Sequence, residues 1–182
     1  IGPRKAYLVH ADRAGRVWIG YWDGGLAVYD HGKVSTYGVE QGLPRASVNA
    51  IFEDRTGSLW VGTDRDLGRV EGARVRTFTG NGFPASVVTS MLQDEAGDYW
   101  VGLGASLLRV DPHEFDLAAS DPRHQLRYRL YDAEDGLPGT LGRPGIPNAA
   151  RASDGTLLFV TSVGLVAVDP RRLHDRPAPA LI

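Results

Sequence analysis

Five histidines, His10, His31, His113, His124 and His174, are the side chains best suited to hold a metal or move a proton, and none stands at a metal-ligating spacing. There is no Gly-x-Ser-x-Gly elbow and no phosphate-cradling glycine loop. The chain contains no cysteine, which excludes thiolate chemistry and disulfides. What remains is chemistry that binds rather than reacts. The adjacent aromatics Tyr21 and Trp22 offer an exposed pair on which a sugar ring could stack, while Asp23, Arg45, Asp64, Arg65, Asn81 and Arg143 carry groups that hydrogen-bond hydroxyls. These eight are the candidate ligand-binding residues, set against a reading in which they are solvated turns. No catalytic residue, metal ligand or cofactor is expected.

The elements that carry these residues are set by an internal repeat. Asp12-Arg-Ala-Gly15-Arg-Val-Trp18-Ile-Gly20 returns as Asp54-Arg-Thr-Gly57-Ser-Leu-Trp60-Val-Gly62 and Asp94-Glu-Ala-Gly97-Asp-Tyr-Trp100-Val-Gly102, at a period of about 40 residues. Gly42-Leu-Pro44, Gly82-Phe-Pro84 and Gly136-Leu-Pro138 recur in phase with it. In the second unit, residues 47–54 alternate apolar and polar positions, 54–57 read as a tight turn, and 58–63, 67–71 and 74–79 supply three more strands. A sheet of four short strands cannot bury both faces alone, so the units must stack. Radial stacking of such blades is the β-propeller. Trp18, Trp60 and Trp100 are expected to wedge between blades as core, and Gly20, Gly62 and Gly102 to let a backbone approach closely.

The fourth unit departs from the others. Residues 153–161 keep the turn but place Leu158 where Trp is expected and Val160 where Gly is expected. Extra length before it falls in 111–125, read as a long loop between the third and fourth strands of blade three. The predicted blades are residues 5–37, 47–79, 87–131 and 146–168, within a partial propeller spanning 1–175 and followed by a linker, 176–182. Only 178–182 could add a fourth strand to the last blade, so both ends are expected to be raw edges. Further blades of a larger ring, or a second copy of the chain in a homo-oligomer, are the expected partners.

Composition narrows the partners. The 182 residues carry a net charge of -2 and a pI near 6.2, without the basic surface that nucleic acid or an anionic membrane would require. No apolar stretch approaches the roughly 20 residues that span a bilayer, and Ile1-Gly-Pro-Arg-Lys5 does not read as a signal peptide. The chain reads as a piece of something longer.

On the in-phase Asp, Gly, Trp and Gly-Leu-Pro positions, residues 5–168 resemble the two-component regulator propeller family, in three good copies and one weak one. Gly136-Leu-Pro138, Gly164-Leu165 and Val168-Asp-Pro170 resemble the family's final repeat, and Arg176-Pro-Ala-Pro-Ala-Leu-Ile182 its linker to an immunoglobulin-like module. The resemblance implies the periplasmic, non-catalytic sensor region of a bacterial inner-membrane receptor. Such receptors carry propellers of about seven blades, a transmembrane helix and a cytoplasmic histidine kinase or diguanylate cyclase. Some relatives sense glycan fragments, which makes a small molecule or glycan the implied ligand.

Ligands of propellers meet loops that converge on one ring face. Here these are the second-to-third-strand loops, 21–25, 64–66, 103–106 and 162–164, with the linkers that carry Arg45, Asn81 and Arg143. The alternatives are a protein-interaction scaffold, although the Gly-His and Trp-Asp signature of WD repeats is missing, and a propeller lyase or lactonase. For catalysis near the axis the first strands offer only His10, Asn49, Thr89 and Asn148, which vary too much from blade to blade to form a shared centre.

Overall fold

The structure, a computed structural model, describes residues 4–142 and 147–173. It contains four antiparallel sheets in chain order, each a simple meander. The first is β1 (Ala6–Ala11), β2 (Val17–Tyr21), β3 (Leu26–Asp30) and β4 (Lys33–Tyr37). The second is β5 (Val48–Glu53), β6 (Leu59–Thr63), β7 (Leu67–Glu71) and β8 (Arg74–Thr77). The third is β9 (Val88–Gln93), β10 (Tyr99–Leu103), β11 (Ser106–Val110) and β12 (Tyr128–Tyr131). The last, β13 (Ala149–Arg151), β14 (Leu157–Thr161) and β15 (Gly164–Val168), has three strands among the described residues. Successive first strands are neighbours, β1 beside β5, β5 beside β9 and β9 beside β13, so the sheets radiate as blades from a line of first strands. The fold is all-β, four blades of a propeller. The proposed fourth strand at 178–182 and the linker at 176–182 lie outside the described residues.

The repeated Asp and Trp form one bonded unit. Trp18, Trp60 and Trp100 are almost fully buried, and their indole N–H groups donate to Asp12, Asp54 and Asp94 at 2.8, 2.9 and 2.8 Å. The second carboxylate oxygen accepts turn amides: Ala14 and Arg16 on Asp12, Thr56 and Ser58 on Asp54, Gly97 and Asp98 on Asp94. A single carboxylate thus closes the hairpin and satisfies the indole that would otherwise be buried unpaired. Burial works against the charged form of Asp12 and Asp54, yet these hydrogen bonds more than offset it and hold both carboxyls below the usual range. In the last blade Ala152 occupies the start of the turn and Leu158 the Trp position, so both partners of the bond are missing together.

Blades are joined by three devices. Each Trp shares one buried core cluster with residues of the next blade, Trp18 with Val48, Leu59 and Val61, Trp60 with Val101 and Leu108, Trp100 with Leu157 and Phe159. A Cβ on Gly62 would lie 2.5 Å from Val88 of the following blade, and one on Gly20 would lie 2.7 Å from Val48, so both positions accept only glycine without displacement. Arg13 and Arg55 reach forward from their turns: Arg13 donates to the Asp54 and Arg55 carbonyls, and Arg55 donates to those of Asp94 and Glu95. Blade three has Glu95 at this position, and its carboxyl lies over Gly155.

The segment 111–125 is not simply a loop. Asp111 accepts from the His113 amide and Pro112 occupies the first turn, starting α1 (Pro112–Ser120). Phe115 and Ala118, one turn apart, are buried, and the Phe115 ring lies 4.8 Å from Trp60 and 4.7 Å from Phe78. The helix therefore plugs the seam between blades two and three. Glu114 secures the return: the Arg127 amide and guanidinium donate to it and His124 Nε2 lies 2.8 Å away. Burial alone would raise the Glu114 carboxyl; these partners bring it down to about 2.

Both outer sheet faces are open and apolar. On blade one, Val9, Tyr29 and Val34 share the face turned away from blade two and are about half exposed or more. On blade four, Val160 and Leu165 are paired across the strands and are 43% and 65% exposed. Val160 has replaced the glycine at the one blade with no described neighbour on that side, where a side chain meets no clash.

Candidate functional site

Three first strands share a local irregularity. Ala6 pairs with Tyr21 but Leu8 with Gly20; Val48 with Thr63 but Ala50 with Gly62; Val88 with Leu103 but Ser90 with Gly102. Tyr7, Asn49 and Thr89 are each the extra residue, a β-bulge that swings the side chain out of the regular alternation. All three line one hollow, of about 510 Å³, that runs along the four first strands and also takes in His10, Ser90 and Asn148. Its lining also includes the apolar residues Ile51, Phe52 and Met91. Asn49 and Thr89 are 2% and 3% exposed. The Asn49 amide nitrogen donates to Asp64 at 2.8 Å, and Thr89 donates to the Gly102 carbonyl at 3.3 Å. The Asn49 Oδ1 and His10 Nε2 atoms are buried with no hydrogen-bond partner. Burial, only partly opposed by Glu53 and Asp12, holds His10 below its ordinary value, so its ring is neutral at pH 7.

The eight candidates from the sequence are dispersed. Tyr21 and Trp22 are not an exposed pair: Tyr21 is 3% exposed beneath the Arg4 guanidinium, and only Trp22 is open to solvent, its ring edge-on to Tyr7 at 4.7 Å. Alternation puts Tyr21 on the outer face of β2 with Val17 and Ile19, where Arg4 covers its ring, and Trp22 stands in the turn just beyond the strand. Asp23, paired with Arg4 at 3.5 Å, and Arg45 line a second hollow of about 590 Å³ at the rim of blade one. Asp64 joins the axial group through Asn49. Arg65 is exposed, and its amide donates to the Thr63 hydroxyl. Asn81 is buried, and its side-chain nitrogen donates to the Pro122 and His124 carbonyls, which holds the return from α1. Arg143 lies outside the described residues. The axial residues had a signal in the sequence: Tyr7, Asn49 and Thr89 stand at one offset before Asp12, Asp54 and Asp94, with different chemistry in each copy.

Among the described residues no group of histidine and acidic side chains is placed to hold a metal ion, and no helix is long and apolar enough to cross a membrane.

A repeat-built fold of radiating four-stranded sheets with a hollow along its first strands is that of a β-propeller. Residues 42–65 match the two component regulator propeller family, and that segment runs from the Gly-Leu-Pro linker through β5 and β6. No curated protein matches the sequence. Among solved structures, the chain is similar to the extracellular domain of the BT4673 one component system from B. thetaiotaomicron, at 19% identity and a TM-score of 0.75 over 94% of this chain and 24% of that one. The extracellular domain of the BT3049 hybrid two component system from the same organism gives 19% identity and 0.71, over 91% of this chain and 22% of that one. Virginiamycin B lyase from Staphylococcus aureus gives 18% and 0.62, over 93% and 57%. At these identities the likeness is one of fold. The chain spans about a quarter of the length of the two extracellular domains.

Proposed function

We propose that this chain is a segment of the extracytoplasmic, non-catalytic sensing propeller of a bacterial signal-transduction receptor, in the periplasm, with a small molecule or glycan as its ligand. The observation that carries this reading is the match of residues 42–65 to the two component regulator propeller, in a unit that the fold repeats. The open apolar faces of blades one and four support a ring completed by further blades, as does the small share of the longer extracellular domains that the chain spans. Binding is favoured over lyase chemistry because the axial hollow has one histidine and no carboxylate among its described lining residues. Nothing in the charge of the chain favours nucleic acid or a membrane surface as partner.

The reading is tested in the intact coding frame. A signal peptide upstream, and a transmembrane helix with a histidine kinase or diguanylate cyclase downstream, are expected; a frame with neither membrane helix nor output module overturns it. Light scattering on the isolated chain tests the faces. Self-association that is relieved by Val160→Glu with Leu165→Glu is expected, and a sharp monomer of the unaltered chain refutes the larger ring.

A further inference from the structure

We infer that the axial hollow between the bulged first strands is a binding site for a small uncharged ligand that donates a hydrogen bond to Asn49 Oδ1 and lays an apolar face on Phe52 and Met91. This deepens the sensing reading by placing the ligand on the axis rather than on the rim loops, and it rests on that reading only for its biological use.

Asn49 carries the argument. Its amide nitrogen faces the Asp64 carboxylate at 2.8 Å, which accepts only a donor, so the orientation of the amide is fixed and Oδ1 is the atom left over. That oxygen belongs to a side chain 2% exposed and has no partner, and Asn49 is one of the residues that line a hollow of about 510 Å³. A buried carbonyl without a donor is costly, and such groups concentrate where a ligand completes them. The hollow is many times the volume of one water molecule and within the range of small-molecule sites. His10, another residue lining the hollow, has a second buried, unpartnered atom in Nε2, and a neutral ring can turn either a donor or an acceptor to a ligand.

The repeat supports the assignment independently. Positions that serve the blade hold one residue type in the first three copies, as with Asp12, Asp54 and Asp94 or Trp18, Trp60 and Trp100. The bulge position holds Tyr7, Asn49 and Thr89, three different hydrogen-bonding groups aimed at one space by the same backbone device. A bulge kept while its side chain changes is a scaffold with exchangeable contacts. Specificity against charge follows from the wall, which has no Asp, Glu, Lys or Arg among its described residues. A charged ligand would have to shed its water there with no counter-ion in return.

The test uses the whole chain and two matched pairs of probes, N-acetylglucosamine with glucosamine and glucose with glucuronate, each pair differing in charge. Binding is read by titration calorimetry and by the His10 ring and Asn49 side-chain resonances. The neutral member of at least one pair is expected to bind, to move both sets of resonances, and to bind at least tenfold more tightly than its charged counterpart. Asn49→Leu should weaken it tenfold or more while the cooperative unfolding transition is kept; Thr89→Val serves as the second variant should Asn49→Leu fail to fold. Arg45→Ala, in the separate hollow at the rim, should leave it unchanged. Loss of binding in Arg45→Ala with retention in Asn49→Leu would return the site to the rim and sink the axial proposal, while leaving the sensing reading intact. Binding of the charged members equally well, or of no probe, also overturns it, the latter meaning that the hollow holds water only.

Discussion

Asp54 accepts five hydrogen bonds, and its removal should cost more than that of its counterparts. Its Oδ2 accepts from Trp60 Nε1 at 2.9 Å and from Tyr99 Oη at 2.6 Å, and its Oδ1 accepts from the Thr56 hydroxyl and from the Thr56 and Ser58 amides. Tyr99 belongs to the next blade, so this carboxylate bonds across the interface as well as within its own turn. Asp54→Ala leaves two buried donors, the Trp60 N–H and the Tyr99 O–H, without an acceptor, whereas the freed turn amides can reach water. With each orphaned donor costing about 1–3 kcal/mol, Asp54→Ala should destabilise by roughly 2–6 kcal/mol. Asp94 accepts from Trp100 but from no tyrosine of the last blade, so Asp94→Ala orphans one donor and should cost about 1–3 kcal/mol. The assay is urea unfolding at pH 7 and one fixed protein concentration, followed by tryptophan fluorescence and far-ultraviolet circular dichroism. Tyr99→Phe should cost about 1 kcal/mol alone but recover about 1–3 kcal/mol in the Asp54→Ala background, where it removes the orphaned hydroxyl, a coupling that a double-mutant cycle reads directly. Equal costs for Asp54→Ala and Asp94→Ala, or strict additivity with Tyr99→Phe, would refute the inter-blade role.

Three further outcomes follow from the geometry. The Glu114 carboxyl, at about 2 when folded against 4.5 for the free group, contributes stability that is fully present above pH 5 and lost as pH falls towards 2; Glu114→Gln should therefore cost about 2–3 kcal/mol at pH 7 and nearly nothing at pH 2, as read by melting temperature across that range. Gly62→Ala drives a methyl into Val88 and should cost about 1–3 kcal/mol, part of it recovered by Val88→Ala, whereas Val160→Thr, on an open face, should change denaturant stability little. Arg55→Ala releases the Asp94 and Glu95 carbonyls at an exposed position and should cost about 1 kcal/mol, against no measurable loss for Glu95→Ala in the same unfolding assay.

Much of the blade was legible from residue order because its causes are local. In blade two the strands expected at 47–54, 58–63, 67–71 and 74–79 are found at Val48–Glu53, Leu59–Thr63, Leu67–Glu71 and Arg74–Thr77, since alternation and the Asp-to-Gly turn act over a few residues. The helix α1 was missed although its signals were present: Asp111 before Pro112 is a capped start, and Phe115 with Ala118 is a buried stripe of one turn. It was hidden because nine residues are too few for a helical period to stand out from a loop, and the helix is held by packing on Trp60 and Phe78 rather than by propensity.

The candidate site shows where residue order runs out. Tyr21 and Trp22 look alike as neighbours in sequence, yet the Arg4 guanidinium covers the first while the second stands open in the turn after β2. Asn81 has the chemistry of a ligand contact, but the returning chain at 122–124 takes its amide. By itself the sequence determined the period, the turn, and the Trp and Gly positions that let copies stack, because each is a demand the backbone makes on one residue at a time. Only the tertiary structure decided which side chains meet. The Asp–Trp bond closes across a hairpin, and the bulges at Tyr7, Asn49 and Thr89 face one hollow only once separate blades stand side by side, since convergence on an axis is a property of the stacked blades and of no single copy.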